Sequence, residues 1–330
     1  MTKFSSRIIG IIITTFMLFS IMLIPATVFA ATDTSKMLVI TVGQFSSYTD
    51  SDYQALADSY VTDYVIAPAL TTDYGGTEAG YKTNLAPKII DFINKIVAKK
   101  STAKVWIGTP GIGSTNSSVA STSLDSFYNY ITYIKSQIST TVWTNNIRGV
   151  YMNCESVYGT VDYTSITSNA VIKLMNDLSY RVHTNLSKKF LWIPYYGYGT
   201  NAATIIKNIG YVADKSTIYD IVILQPHYYF DTTGESKANL DGCYYSVNKQ
   251  AICYRDGVQV IAKTSSTIIG VEMESNWKLA YPASYPDYKQ RYDEYVNKFK
   301  GFKGSYPFAF YYDGTLQTAL NDWINSFYNY

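Results

Sequence analysis

The chain contains few charged residues and no large excess of either sign. Asp, Glu, Lys and Arg together make 16% of the 330 residues, whereas they make about a quarter of an average soluble protein. Lys and Arg exceed Asp and Glu by only two, and Lys3 and Arg7 in the first 30 residues account for that excess. The rest of the chain therefore lacks the net positive charge that favours binding to nucleic acids or anionic membranes. We expect neither as a partner.

Cysteine and histidine are also scarce. The three cysteines, Cys154, Cys243 and Cys253, do not have the spacing of a zinc site, and only His183 and His227 could complete one. We therefore expect no metal site and no cofactor. Cys154 falls in a predicted strand and is expected to be a buried thiol, while a disulfide between Cys243 and Cys253 is left open.

Residues 1–30 have the pattern of a secretory signal peptide. Two cations precede an apolar run over residues 8–24, and small residues then mark a cleavage site after Ala30. The alternative is a retained membrane anchor, because the apolar run is long for a signal peptide. No later segment approaches the length of a membrane span. We expect a secreted, extracellular protein with a single mature domain over residues 31–330.

Tyrosine is the residue type that the chain has in abundance. Its 33 tyrosines stand beside a low charged fraction, so the surface must be built largely from Tyr, Ser, Thr and Asn. Phenol rings offer both a flat apolar face and a hydrogen-bonding hydroxyl. This composition suits a protein that handles neutral, hydroxyl-rich ligands.

Short apolar runs alternate along the chain with longer amphipathic segments. The runs predicted as strands are Met37–Val42, Asp63–Ala69, Ala103–Thr109, Ile147–Cys154, Lys189–Tyr196, Asp220–Phe230, Thr267–Asn276 and Tyr306–Asp313. The segments predicted as helices are Ser51–Tyr60, Ala86–Lys100, Ser123–Ser139, Ser165–Leu186, Ala202–Ala213, a segment within Ser246–Lys263, Pro286–Lys300 and Thr315–Phe327. Eight strand–helix pairs predict a (β/α)8 TIM barrel, with a doubly wound open sheet as the alternative.

The seventh run, TIIGVEMESN, carries two glutamates at alternate positions. Side chains two residues apart on a strand point to the same face, so Glu272 and Glu274 share a face with Gly270, while apolar residues cover the other face. The apolar face is expected to lie under a helix. An unpaired buried carboxylate is costly, so the acidic face is expected to open on a polar cavity.

Other strand ends supply polar residues to the same cavity. The active site of such a barrel lies at the carboxyl ends of its strands. Alternation along the fourth run turns Tyr151, Asn153 and Glu155 inward, and along the sixth run it turns Gln225 and His227 inward. The predicted cavity mouth therefore combines an amide and a carboxylate from strand four, an amide and an imidazole from strand six, and two carboxylates from strand seven.

Carboxylates on opposite sides of a barrel mouth are the arrangement that glycoside hydrolysis requires. One acid must donate a proton to the leaving oxygen, and the other must meet the oxocarbenium-like carbon. We expect Glu155 to be the general acid/base and Glu274 the nucleophile, with Glu272 as the second choice for that role. Crowding of three acids raises the pKa of at least one of them.

Structural alternatives exist for these residues. Asn153 and Gln225 could simply satisfy backbone groups at strand ends. His227 could be a rim residue instead of a ligand for a sugar. One of the two strand-seven glutamates could form an ion pair with Arg148 or Arg255.

Aromatic residues follow the predicted strands at the same level, and flat rings stack on the apolar faces of sugars. The residues predicted to bind substrate are Asn153, Trp192, Tyr195, Tyr196, Gln225, His227, Tyr228, Trp277 and Tyr312.

Four separated motifs resemble one bacterial family. FLWIPYYGYG (190–199), YDIVILQPHYYF (219–230), GVEMESN (270–276) and GVYMNCES (149–156) are similar to the family called domain of unknown function 4855. That resemblance covers the whole mature chain and implies a glycoside-hydrolase-like (β/α)8 barrel. The acids of strands four and seven more distantly resemble clan A glycoside hydrolases.

The sequence thus predicts a secreted glycoside hydrolase that cleaves an extracellular or cell-surface polysaccharide. The alternative is a barrel of the cell envelope or biofilm matrix that binds glycan without cleaving it. A hydrolase of another kind is not favoured, because neither a Gly-x-Ser-x-Gly elbow nor a histidine cluster is present. The sugar, its linkage, endo or exo action, the stereochemistry and the oligomeric state stay open.

Overall fold

The protein was analysed as a computed structural model that describes residues 33–113, 117–197, 199–231 and 233–329. The predicted signal peptide, residues 1–30, and its cleavage site after Ala30 lie outside these ranges. Among the described residues, no helix is long and apolar enough to cross a membrane.

Eight parallel strands form a closed barrel in sequence order. The strands are β1 Lys36–Thr41, β2 Asp63–Ala67, β3 Lys104–Gly108, β4 Ile147–Met152, β5 Lys189–Trp192, β6 Ile221–Leu224, β7 Ile268–Asn276 and β8 Phe308–Asp313. Strand β1 pairs with both β2 and β8, so the sheet closes on itself. The predicted (β/α)8 barrel is confirmed, and the open doubly wound sheet is excluded because it would have free edges.

Helices follow the strands and pack around the barrel. The main helices are α1 Asp50–Asp58, α2 Ala86–Lys99, α3 Ser117–Gln137, α4 Ala170–Leu186, α5 Ala202–Asp214, α6 Gly234–Lys249 and α7 Pro286–Phe299. After β8 come three consecutive helical segments, Leu316–Thr318, Ala319–Asn325 and Ser326–Asn329. Helix α2 illustrates how hydrophobic periodicity predicts a helix. Its residues Ile89, Phe92, Ile93 and Ile96 recur at helical spacing, and all four are buried.

The sixth helix lies earlier than predicted. It spans α6, whereas the sequence was interpreted as placing it within Ser246–Lys263. The buried face of α6 includes the small or polar residues Ser236, Asn239 and Gly242, so it shows no strong apolar stripe. Gly242 is required there, because a Cβ atom would lie 2.5 Å from the hydroxyl oxygen of Tyr196.

Strands β5 and β6 end sooner than predicted, and a proline follows each of them. Strand β5 stops two residues before Pro194, and β6 stops two residues before Pro226. Proline has no N–H to donate to a sheet, so it does not continue a central strand. The polar residues just after each strand therefore lie in the loops at the mouth of the barrel.

Alternation along the strands separates two apolar cores. The barrel interior holds Met37, Val39, Val65, Trp106, Tyr151, Leu191, Ile193, Ile221, Ile223, Ile268 and Ala309. Ile269, Val271 and Met273 of β7 belong instead to the larger core between the barrel and its helices. The predicted facing of β7 is therefore confirmed.

The amino-terminal end of the barrel is closed by a buried ionic cluster. Arg148 donates to Asp63 at 2.9 Å and to Asp33 at 2.5 Å, and the indole of Trp106 donates to Asp63 at 3.0 Å. Asp63 is fully buried. Arg148 therefore forms its ion pairs at the end of the barrel opposite to the predicted active site.

All three cysteines are free and buried. No bridge joins Cys243 to Cys253, which answers the question that the sequence left open. Cys154 lies just past the end of β4, and its burial raises the pKa of the thiol to about 12. It is therefore an unreactive core residue, as expected.

Candidate active site

A cavity of about 590 Å³ lies at the carboxyl ends of the strands. All six residues predicted for the cavity mouth line it, namely Asn153, Glu155, Gln225, His227, Glu272 and Glu274. Its other lining residues include Thr41, Tyr151, Tyr195, Phe230 and Tyr311. The parity argument therefore placed the polar residues of strands four, six and seven correctly.

Glu272 is the deeper of the two β7 acids. The residue is 3% exposed, and no hydrogen-bond donor or cation among the described residues acts on its carboxyl. Burial holds the pKa of its carboxyl well above the usual range, and the nearby carboxylates of Glu274 and Glu155 raise it further. The neutral form of Glu272 is therefore favoured over the range of pH in which an exposed glutamate would already be ionised.

Glu274 is equally buried but has hydrogen-bond donors on both carboxylate oxygens. Its Oε1 accepts the backbone N–H of His227 at 3.0 Å, and its Oε2 accepts the hydroxyl of Tyr295 at 2.7 Å. The imidazole Nδ1 of His227 lies 3.7 Å from Oε1. Donors on both oxygens stabilise a negative charge and fix the direction of the carboxylate plane.

His227 reaches Glu274 from an unusual backbone conformation. Its φ angle is +56°, in the left-handed region that residues other than glycine seldom adopt. Its imidazole packs between the rings of Tyr195 and Phe230, with centroid distances of 5.0 and 5.5 Å. The hydrogen-bonded side chain of Glu274 raises the pKa of His227. The strained residue thus joins the β6 loop to the β7 acid.

Glu155 stands at the solvent-exposed side of the cavity. Its backbone is fixed on both sides, because the indole of Trp192 donates to the Cys154 carbonyl at 2.6 Å and the Tyr195 N–H donates to the Glu155 carbonyl at 2.7 Å. A smaller cavity of about 290 Å³ shares Glu155 and Asn153 with the main one and extends over the ends of β2 and β3. Glu155 therefore lies between two connected cavities.

Arginine does not neutralise these acids among the described residues. Arg148 binds Asp63 and Asp33 at the other end of the barrel, and Arg255 donates to Asn239 at 2.9 Å. No lysine or arginine is among the described residues that line the main cavity. Neither Glu272 nor Glu274 therefore forms an ion pair with Arg148 or Arg255.

Asn153 and Gln225 line the cavity and also bind backbone groups. The Asn153 amide donates to the Pro68 carbonyl at 2.6 Å, and the Gln225 amide donates to the Ile193 carbonyl at 2.9 Å. The structural role considered for both residues is therefore present. A contact with a ligand remains a prediction.

Four aromatic residues predicted to bind substrate lie instead in the core between barrel and helices. They are Trp192, Tyr196, Tyr228 and Tyr312. Trp192 alternates with the inward-facing Leu191 and Ile193, so it must face the helices. Their polar atoms are used internally, since Tyr228 donates to Glu294 at 2.7 Å and Tyr312 pairs with Tyr48. The prediction that these four residues line the cavity and bind substrate is therefore wrong.

Trp277 is also absent from the cavity lining. It begins the loop between β7 and α7, is 42% exposed, and packs edge-on against Tyr285 and Tyr281. Alternation could not place it, because β7 ends at Asn276. Tyr195, by contrast, lines the cavity as predicted.

Sequence reasoning missed several residues of the site. Tyr311 pairs with Glu274 across β7 and β8, and the alternation used for strand seven would have selected it over Tyr312. Tyr151 lines the cavity, as alternation along strand four predicted, and Phe230 lines it too, although neither was predicted as a substrate ligand. Tyr295 lies on α7, and no local signal connects a helix residue to an acid 21 positions earlier.

Metal binding has no support in the described part of the chain, where no group of three or more His, Cys, Asp or Glu residues could hold an ion. The polar groups of the described residues that line the cavity include carboxyls, amides, phenols and one imidazole.

Comparisons with known proteins identify the class of fold. A glycoside hydrolase family 5 enzyme from Prevotella bryantii B14 matches with a TM-score of 0.54 at 11% identity, covering 92% of this chain and 100% of that chain. A family 30 endoxylanase from Clostridium papyrosolvens C71 has a TM-score of 0.46 at 10% identity, covering 86% of this chain and 66% of that one. The first match shows that the chain has a glycoside-hydrolase-like barrel fold, and identity this low shows nothing beyond the fold.

No family model and no curated protein matches the sequence. The resemblance to domain of unknown function 4855 is therefore not supported. The glycoside-hydrolase-like barrel that the resemblances implied is supported at the level of the fold alone.

Proposed function

We propose that this protein is a secreted glycoside hydrolase whose substrate is an extracellular or cell-surface polysaccharide. The observation that carries the proposal is the set of three glutamates from strands four and seven, which share one cavity without a lysine or arginine partner among the described residues. Two carboxyl groups in different environments are what glycosidic cleavage needs.

Glu274 is suited to act at the anomeric carbon. The Tyr295 hydroxyl and the His227 N–H support it as a carboxylate and fix its orientation. A preorganised carboxylate stabilises the positive charge that develops on the sugar ring in the transition state.

Glu155 is suited to donate a proton to the leaving oxygen. It is exposed at the junction of the two cavities, so a bond lying across that junction would present its oxygen to Glu155. An acid at this place can also exchange its proton with solvent, which every turnover requires. A chain that occupies both cavities would be cut between them.

Aromatic residues in the cavity support a carbohydrate substrate. Tyr195, Phe230 and Tyr311 line its wall and present rings on which sugar faces stack. Residues 1–30 support the proposed secretion, which would bring the protein to an extracellular glycan.

The proposal is tested by incubating the purified mature protein with a panel of polysaccharides and measuring new reducing ends. Release of reducing ends by wild type is expected on at least one glycan. For Glu155→Gln a rate lower by about 10²–10⁴-fold is expected, which is the usual size of a general-acid contribution.

Glu294→Gln is the matched control, because Glu294 pairs with Lys237 and Tyr228 away from the cavity. It should retain wild-type turnover. Binding without turnover on every glycan would instead indicate a glycan-binding barrel. Full activity in Glu155→Gln would remove Glu155 from the mechanism.

A further inference from the structure

The candidate active site contains one carboxyl group more than glycosidic cleavage requires. A proton donor and a group that meets the anomeric carbon suffice, and Glu155 and Glu274 fill those roles. Glu272 is left over. Its side chain faces the cavity, is almost completely buried, and has no partner among the described residues.

A buried acid without a partner is costly, so its retention inside a cavity needs a reason. The same position filled by an amide or an apolar residue would avoid that cost. Glu272 lies beside a bound substrate if the cavity is the substrate site. A cationic group on the substrate would supply the missing partner.

The surroundings of Glu272 favour a cation. Glu274 and Glu155 are the charged groups that act on its carboxyl, and both are acids. Tyr151 and Tyr311 line the same cavity as the three carboxyl groups. The imidazole of His227 is already occupied by Glu274. Low dielectric strengthens the attraction of such a site for positive charge.

We propose that the substrate is a glycan with free amino groups and that Glu272 binds the ammonium group of one sugar unit. This inference rests on the proposed function, because it assigns the substrate class of the same cavity. An ammonium group has three donors and no acceptor, which matches a carboxyl that lacks donors. The aromatic rings of Tyr195 and Phe230 provide further surface that attracts a cation.

Binding of an amino sugar would change the protonation of Glu272. Burial and the two neighbouring acids raise the pKa of Glu272 in the free protein, whereas an adjacent ammonium group favours the carboxylate. The titratable described residues that line the same cavity are Glu155, Glu274, His227, Tyr151, Tyr195 and Tyr311. When the sugar amine is already protonated in solution, binding should therefore release a proton from Glu272, whereas a neutral sugar that only accepts a hydrogen bond from Glu272 should not.

The test uses titration calorimetry on the mature chain carrying Glu155→Gln, so that slow cleavage does not interfere. Three probes of equal length are compared: a glucosamine oligosaccharide, its fully N-acetylated form, and a cello-oligosaccharide. We expect the amine form to bind at least about tenfold more tightly than the other two, which is the size of one charge-assisted hydrogen bond. Titration at a pH where the amine is fully protonated, in two buffers of different ionisation enthalpy, should show proton release for the amine form alone.

Adding Glu272→Gln preserves the shape of the side chain and removes its charge. It should weaken binding of the glucosamine probe by at least about tenfold and leave the cello-oligosaccharide unchanged. Equal affinity for all three probes, or no effect of Glu272→Gln on the amine probe, would overturn the proposal. If the double variant does not fold, the probe comparison and the proton release decide alone. Failure of the proposed function would show differently, as probe binding by wild type without any cleavage.

Discussion

The backbone N–H of His227 donates a 3.0 Å hydrogen bond to Oε1 of Glu274, and His227 makes it from a left-handed conformation with φ of +56°. The strain lies in the loop that follows β6, and the acceptor lies on β7. Strain of this kind is tolerated where surrounding contacts fix the backbone, and it is concentrated at functional sites. The unfavourable backbone conformation of His227 therefore positions the N–H group that orients the carboxylate of Glu274.

Replacement of His227 by two residues that lack its ring should measure the energetic cost of the left-handed backbone conformation. His227→Asn should fold with nearly wild-type stability, because Asn tolerates the left-handed conformation. His227→Val should lose about 1–2 kcal/mol in the free energy of unfolding, since a β-branched side chain is strained there. Urea unfolding measures both. Equal stability of the two variants would show that the backbone strain has no energetic weight.

Removal of the Tyr295 hydroxyl should affect both stability and turnover. Tyr295→Phe leaves Oε2 of the buried Glu274 without a donor, which costs about 1–3 kcal/mol. We expect kcat to fall together with the free energy of unfolding, because the carboxylate loses its fixed direction.

Tyr292→Phe provides the control on the same helix. Tyr292 donates to the Trp323 carbonyl at 2.8 Å, away from the cavity. It should reduce stability and leave kcat unchanged. A similar loss of kcat in both variants would mean that Tyr295 acts only through stability.

The raised pKa of Glu272 predicts a pH-dependent stability. In the unfolded chain the carboxyl ionises near its ordinary value of about 4.5, whereas the folded protein retains the proton to higher pH. The stability from the neutral form is fully present below about pH 4.5 and is lost as pH rises through the folded pKa. Glu272→Gln removes that loss, so at pH 8 it should be more stable than wild type.

Urea unfolding at pH 4.5, 6 and 8 would measure this difference. The advantage of Glu272→Gln over wild type should grow with pH. A constant difference, or one that shrinks toward pH 8, would show that Glu272 is not held in its neutral form.

The ionic cluster at the amino-terminal end of the barrel should contribute strongly to stability. Arg148→Gln leaves the fully buried Asp63 without its cation, and we expect a loss of about 3 kcal/mol. Arg181→Gln breaks a salt bridge to the exposed Asp125 and should cost less than about 1 kcal/mol. Chemical denaturation compares them. Similar losses would show that burial of Asp63 does not matter.

Alternation along the strands carried most of what the sequence could predict. The period of two on β7 placed Glu272 and Glu274 in the cavity, and the same period on β4 placed Glu155 there. It was not applied to β5 and β8, where it would have turned Trp192 and Tyr312 outward. Those two errors were avoidable from sequence.

Other features depend on contacts that no local pattern encodes. The left-handed φ of His227 follows from the packing of a loop, and the bond from Tyr295 to Glu274 joins α7 to β7. Helix α6 was misplaced because small and polar residues contribute much of its buried face, so its hydrophobic periodicity was weak. Tertiary packing determines all three.

The most direct test of the proposed mechanism is azide rescue of Glu274→Ala on the best glycan from the panel. This variant should lose activity by about a hundredfold or more, and added azide should restore cleavage by attacking the anomeric carbon from the vacated position. The expected product is a glycosyl azide of inverted configuration, absent with wild type. Full activity of Glu274→Ala without azide, or rescue seen with Glu272→Ala and not with Glu274→Ala, would contradict the role given to Glu274.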